Sequence, residues 1–178
     1  MTTEAKAIAA YLERIVGDII SQLEGIPDEV LNRPTPIPDT NTLFALATHT
    51  VGMGEFWVLA LVGGQTVDRN RSLEFRASGK GSDLIARFQR WVHDLHQVLD
   101  TFPTSKLDEA AHPPIEFAKS GGFPADQPMS CRDSLLHVVE HTATHLGHIQ
   151  MTRQLFGAIE QGLVSVRVEK WKSGRVSR

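Results

Sequence analysis

Cysteine, long apolar runs and strand-like alternation are all scarce in this sequence of 178 residues. Its single cysteine, Cys131, cannot form an internal disulfide, which excludes a small scaffold held together by disulfides. No segment reaches the roughly 18 consecutive apolar residues of a membrane span, and the amphipathic N-terminus contains acidic residues, unlike a signal peptide. We therefore expect a cytoplasmic protein that has no membrane as a partner.

An excess of one charge is also missing, since 18 basic and 21 acidic side chains give a formal charge of −3. Without a global positive potential there is little to attract a polyanion, so we do not expect a nucleic acid as partner. Hydrophobic residues make up 41% of the chain and charged residues 22%, close to the composition of globular domains. A chain of this length typically forms one domain with its own core.

Apolar residues recur at steps of three and four in four long segments, which predicts an all-α fold. The first helix is expected from Thr3 to Glu24. A proline-rich link, NRPTPIPDTN, separates it from the second helix. Asp39, Thr40 or Asn41 is the expected N-cap of that second helix, because short polar side chains accept hydrogen bonds from its first turn. The pair Gly63-Gly64 is expected to end it.

The third and fourth helices have recognisable starts. Ser82 or Asp83 is expected to open the third helix, which continues to about Phe102. Ser130 and Asp133 have the spacing of a capping box and are expected to open the fourth helix.

A long link, residues 104–129, is expected between the third and fourth helices. Links of this length in compact domains are usually functional or disordered, so a lid is one interpretation. The fourth helix is expected to end at Gly157. Together these elements predict a four-helix bundle with long crossover links over residues 1–160, followed by a C-terminal tail over 161–178.

Histidine is the unusual residue, with eight in the chain, four of them on the fourth helix: His137, His141, His145 and His148. At about 100° per residue these four occupy a sector of roughly 80°. Neighbours four apart are about 6 Å apart along the axis, so at most two adjacent imidazoles reach one ion. Apolar residues flank this row of four histidines on the side nearest His145 and furthest from His137. This favours His141 with His145 as a ligand pair over His137 with His141.

A third ligand would come from another helix, and His49 is the candidate because it lies among apolar residues of the second helix, such as Leu46 and Met53. Burying an imidazole without a partner costs about 1 to 3 kcal/mol, so His49 should hydrogen-bond or coordinate something. The residues alone support a satisfied core histidine and a metal ligand about equally.

Three other histidines and Cys131 are further candidates for functional residues. His93 and His96 on the third helix are expected at its surface and rim, and His112 approaches a site only if the long link folds over it. Cys131 near the start of the fourth helix has two interpretations, a thiolate with a pKa lowered by the helix N-terminus and a small packed residue.

The segments HVVEHTATHLGHIQMTRQLFG, ALATHTVGMGEFWV and RNRSLEFRASGKGSDLIARF resemble the DinB-like superfamily, also called the DinB/YfiT group, over most of the chain. The resemblance implies a four-helix bundle and a divalent metal, commonly zinc or nickel. The ligands it implies are one histidine of the second helix and an HxxxH pair of the last, which correspond here to His49, His141 and His145. His148 corresponds to a position that supports the ligands. The resemblance also implies a homodimer.

Three histidine ligands leave an open coordination position, unlike a closed structural site with four ligands. Branches of the superfamily include low-molecular-weight-thiol S-transferases and a mycothiol-dependent maleylpyruvate isomerase. We therefore expect S-transferase chemistry at the metal, with a thiol cosubstrate and a small-molecule substrate. The alternatives are metal-dependent hydrolysis, with Glu140 as acid or base, and a non-catalytic, stress-related helical interaction protein in which the histidines are structural.

Overall fold

The computed structural model of the protein describes residues 3–114 and 129–164, and most of these residues are helical. The helices among them are α1 (Glu4–Leu23), α2 (Asp28–Leu31), α3 (Leu43–Gly54), α4 (Arg71–Glu74), α5 (Gly81–Leu99) and α6 (Cys131–Glu160). A π-helical segment, Glu55–Val62, directly continues α3. The smaller elements are a 3₁₀ turn, Thr104–Lys106, and an antiparallel pair of two-residue strands, β1 (Ala110–Ala111) and β2 (Met129–Ser130). This content confirms the all-α prediction.

The long helices pack in pairs around one hydrophobic core. Helix α1 lies against α5 and α6, and α3 also lies against α5 and α6. Most of the largest fully buried side chains come from these helices and the π segment, and include Leu12, Ile19, Met53, Trp57, Phe88, Trp91 and Leu95. Because α3 and α6 pack against each other, side chains that are far apart in sequence meet between them.

Helix α1 begins as predicted, since the Thr3 hydroxyl accepts a hydrogen bond from the Lys6 backbone N–H. The predicted caps of the next long helix are wrong. Thr42 is the N-cap of α3, and its hydroxyl accepts from the Ala45 N–H at 3.0 Å. Thr40 instead donates to the Ile37 carbonyl, so it belongs to the turn before the helix. Asp39 is also part of that turn, with a positive φ of 61°.

The third long helix begins and ends slightly earlier than predicted. Helix α5 opens at Gly81, and its N-cap Lys80 makes no capping hydrogen bond with its side chain. The Gly81 N–H donates instead to Asp28 Oδ1 of α2 at 2.8 Å, so a residue distant in sequence satisfies the helix start. The helix ends at Leu99, before the predicted Phe102.

The capping box that opens α6 is confirmed. The Ser130 hydroxyl accepts from the Asp133 N–H at 3.1 Å, and an Asp133 carboxylate oxygen accepts from the Ser130 N–H at 2.9 Å. The predicted end at Gly157 is wrong, because the helix continues to Glu160 and the left-handed backbone conformation occurs at Gly162, where φ is 68°. The lid prediction for 104–129 largely concerns 115–128, which lie outside the described residues, as does most of the predicted tail.

The helical run Leu43–Val62 is long and apolar enough to cross a membrane by length and composition alone. Its most apolar window is 83% buried inside the protein, as in the core helix of a folded domain. Two glycines in this run permit close packing. A Cβ at Gly54 would lie 2.1 Å from the Trp91 ring, and one at Gly52 would lie 2.6 Å from Glu74 Oε1. A side chain at either position would therefore force Trp91 or Glu74 to shift.

Candidate metal centre

Three histidines from two helices meet between α3 and α6. One ring nitrogen from each of His49, His141 and His145 lies within 4.8 Å of the other two. The ring centroids of His49 are 5.1 Å from those of both His141 and His145, and the latter two are 4.4 Å apart. The structure thus brings together the three residues predicted as ligands, while their binding of a metal stays a prediction.

The depth of the three rings differs. His49 is 3% exposed and lies on the fully buried helix α3, whereas His141 and His145 are half-buried and lie one turn apart on α6. A ligand or substrate would therefore approach from the side of His141 and His145, with His49 at the inner end of the cluster.

The protonation of the pair on α6 suits metal binding. Burial, reinforced by the neighbouring imidazoles His145, His49 and His137, lowers the pKa of His141 to about 2. Burial, together with His49 and His148, lowers the pKa of His145 to about 4. Both rings are therefore neutral near pH 7, and no proton has to leave before they coordinate.

One nitrogen of the cluster lacks a partner among the described residues. His141 Nδ1 is buried and makes no hydrogen bond within the part of the chain that the structure describes. A buried polar atom of this kind costs free energy unless something pairs with it. A divalent cation that accepts nitrogen ligands, such as zinc, satisfies such an atom, so the residues present fit a metal.

A buried ion pair that the sequence did not reveal supports His49. Glu74 is 7% exposed, and its Oε2 lies 2.7 Å from His49 Nδ1. Arg69 donates to the same carboxylate, from Nε to Oε1 at 2.8 Å and from Nη2 to Oε2 at 3.0 Å. Burial raises the pKa of Glu74, but the hydrogen bonds from His49 and Arg69 lower it by more, so it lies below its ordinary value.

The local sequence around Glu74 does not indicate its burial. Glu74 belongs to a polar stretch, and it follows an apolar residue, Leu73. In the structure Leu73 is 60% exposed while Glu74 is buried, the reverse of what their polarity indicates. Only the packing of α4 against α3, a long-range contact, decides this orientation.

His137 lies deeper than predicted. Helical spacing predicts that His137 lies furthest from the apolar flank. In the structure, however, it is only 8% exposed, and its ring centroid is 4.7 Å from that of Trp57. Trp57 belongs to the π segment, and its indole contacts the first of the four histidines of α6. The sequence pattern of α6 alone does not show this contact. His137 contacts His141 at 5.4 Å between centroids but is not part of the group of three.

The other histidines lie at the surface or rim. His148 is exposed, and its Nδ1 is 3.3 Å from His145 Nδ1, so it contacts a predicted ligand. His93 is exposed, and His96 lies at the rim, where it contacts Glu13 and Asp100 on α1 and α5. His112 is exposed and is not part of the cluster.

Cys131 is a packed residue, and the thiolate interpretation is wrong. The side chain is buried, and burial, together with the negative charge of Glu109, raises the pKa of the thiol. The helix N-terminus does not compensate for this loss of solvation. Glu140, the acid or base of the hydrolytic alternative, is exposed and lies outside the three-histidine group.

The chain is similar to one described protein family and to a solved structure. The family model described as mycothiol-S-transferase matches residues 7–158, a range that includes all three clustered histidines. No curated protein matches the sequence significantly. Among solved structures, a conserved protein from Enterococcus faecalis is similar with a TM-score of 0.67 over 87% of this chain and 98% of that chain, at 14% identity. At this identity the likeness shows the fold alone.

Proposed function

This chain belongs to the mycothiol-S-transferase family, within the DinB-like superfamily, and on that premise we propose that it transfers a low-molecular-weight thiol to a small electrophile. The reaction is proposed to occur at a divalent metal held by His49, His141 and His145. The observation that carries the proposal is the convergence of three imidazoles, one with a buried nitrogen that has no hydrogen-bond partner among residues 3–114 and 129–164.

The ligand set determines what the protein contributes to this chemistry. A divalent cation, when bound, stabilises a thiolate at neutral pH. Neutral imidazoles add no negative charge, so these three ligands leave the positive charge of the site uncompensated. A set of three also leaves a coordination position open, as in catalytic rather than structural sites. The partial exposure of His141 and His145 makes that position reachable from solvent.

The bond changes of the proposed transfer are simple. The thiol loses its proton to water, and its sulfur forms a bond to the electrophilic carbon of the second substrate. The leaving group departs with the electron pair of the bond that breaks. The histidines orient the reacting groups and take up no proton, since the low pKa values of His141 and His145 keep both rings neutral.

The finer parts of the proposal concern the metal, the domain and the assembly. We propose zinc or nickel as the metal, and a four-helix bundle domain over 1–160 made of α1, α3 with its π segment, α5 and α6. A homodimer in the cytoplasm, with small molecules as substrates, completes the proposal.

A thiol-consumption assay tests the proposed function. Metal-free protein and protein loaded with zinc or nickel are incubated with monobromobimane or another electrophile and, in separate reactions, with mycothiol, bacillithiol, glutathione or coenzyme A. We expect free thiol to be lost faster than in protein-free reactions with at least one of them only when metal is present, and at the protein-free rate in His141→Ala. The matched control His93→Ala should retain activity because His93 is exposed and outside the cluster. Thiol loss that exceeds the protein-free rate equally with and without metal, or ester hydrolysis without any thiol, would overturn the proposal.

A further inference from the structure

The contact between His49 and Glu74 determines which nitrogen of His49 carries a proton. Both carboxylate oxygens of Glu74 accept hydrogen bonds from the Arg69 guanidinium, a group that only donates. A carboxylate paired in this way has lone pairs but no proton to offer. His49 Nδ1, at 2.7 Å from Oε2, is therefore the donor in this contact. In a neutral imidazole the proton on Nδ1 leaves the lone pair on Nε2.

We propose that Glu74, held by Arg69, is a positioning residue that fixes the ring orientation and tautomer of His49, so that Nε2 is the atom available to the metal. This inference rests on the proposed function, since it assigns a role within the same site. Carboxylates that accept from the second nitrogen of a ligand histidine orient the ring and raise its basicity.

The surroundings of Glu74 hold it in this place. Gly52 leaves space for the carboxylate against α3, because a Cβ there would lie 2.6 Å from Oε1. Asn70 caps α4 by accepting from the Leu73 N–H, which fixes the turn that carries Glu74. The ring of Phe75 lies 4.5 Å from that of His49 between centroids and covers one of its sides. The arrangement is thus built from several independent contacts.

A cavity lies beside this ion pair, and a second, similar ion pair also lines it. Its volume is about 370 Å³, and its lining includes Arg69 and Glu74 together with a second pair, Arg87 and Glu55. Arg87 donates to the two oxygens of Glu55 at 3.0 and 2.6 Å, so the second pair has the same chemistry. No hydrogen bond joins Glu55 to a histidine among the described residues. Glu55→Ala is therefore the matched control for Glu74→Ala.

The tautomer of His49 can be measured without metal. In long-range ¹⁵N–¹H NMR spectra of the metal-free protein, His49 is expected as the Nδ1–H tautomer in the wild type and in Glu55→Ala. In Glu74→Ala we expect a shift toward the Nε2–H form that free histidine prefers. An Nε2–H tautomer in the wild type, or an unchanged tautomer in Glu74→Ala, would overturn the inference.

Zinc affinity, measured by competition with a chromophoric chelator, gives the second readout. We expect Glu74→Ala to bind zinc 10- to 100-fold more weakly than the wild type, as is typical when such a partner is lost, and Glu55→Ala to stay within about threefold. Formate can enter the cavity and pair with Arg69, so added formate should restore part of the affinity of Glu74→Ala and leave Glu55→Ala unchanged. If Glu74→Ala does not fold, Glu74→Gln replaces it and should show an intermediate loss.

The outcomes separate this inference from the proposed function. Zinc binding that depends on Glu74, without any thiol transfer, would contradict the proposed reaction and leave the positioning role intact. Thiol transfer together with a zinc affinity that does not depend on Glu74 would contradict the positioning role and leave the proposed reaction intact. A wild-type chain that binds no metal would overturn both.

Discussion

The indole of Trp57 lies over the imidazole of His137, with ring centroids 4.7 Å apart and planes inclined by 62°. This contact covers His137 and gives it a neighbour outside the group of His49, His141 and His145. The histidines of α6 therefore have different surroundings. His137 packs into the core, whereas His141 and His145 lie close to His49.

This division predicts different effects for two substitutions on the same helix. His137→Ala should leave zinc affinity within about threefold of the wild type and lower the free energy of unfolding by about 1 to 3 kcal/mol, through lost packing. His141→Ala should abolish measurable zinc binding. Calorimetric titration and urea unfolding measure both quantities. Loss of zinc binding in His137→Ala would contradict the assignment of His141 and His145 as the ligand pair of α6.

Acid should destabilise the metal-free protein through the clustered histidines. The pKa values of about 2 for His141 and about 4 for His145 lie below the ordinary value of 6.5. Between pH 6.5 and 4 the unfolded chain therefore binds protons at these sites while the native state does not. The contribution of these two histidines to native stability is complete above pH 6.5 and falls as the pH decreases, by at most about 1.4 kcal/mol per pH unit for each histidine.

Urea unfolding from pH 7.5 to 4 measures this slope. His141→Gln should flatten it, whereas His93→Gln, which changes an exposed residue, should not. A slope that His141→Gln leaves unchanged would show that His141 titrates normally in the native state.

A methyl group at position 52 should disturb the support of His49. Gly52→Ala places a Cβ within 2.6 Å of Glu74 Oε1, so the carboxylate must shift. We expect a loss of about 1 to 3 kcal/mol in unfolding free energy and weaker zinc binding. Gly17→Ala is the control, since nothing lies within 4 Å of its Cβ and alanine favours a helix by about 1 kcal/mol. Equal behaviour of the two variants would contradict the close approach of Glu74 to α3.

Cys131 should react slowly with thiol reagents in the native protein. Burial hides its sulfur, and the raised pKa reduces the thiolate fraction at pH 8. Alkylation by iodoacetamide, followed by mass spectrometry, should therefore be much slower in buffer than in 6 M urea. Comparable rates in the two solvents would mean that the start of α6 exposes this residue.

Local patterns in the sequence predicted the long helices and the three histidines that meet. Helical spacing places His141 and His145 on one side of α6 and His49 among apolar residues of α3, and the capping box of Ser130 and Asp133 is a contact within four residues. The Asp28 contact at the start of α5, the burial of Glu74 and the cover of Trp57 over His137 depend on segments distant in sequence. No periodicity within one segment encodes such contacts, so the support of His49 emerged only from the structure.

The most direct test of a shared metal is anomalous diffraction at the metal edge, from crystals of protein purified without an affinity tag. We expect one peak between His49, His141 and His145, with nitrogen distances of about 2.0 to 2.1 Å for zinc. Crystals grown with added zinc or nickel that show no peak there, or rings that face away from a common point, would contradict this expectation.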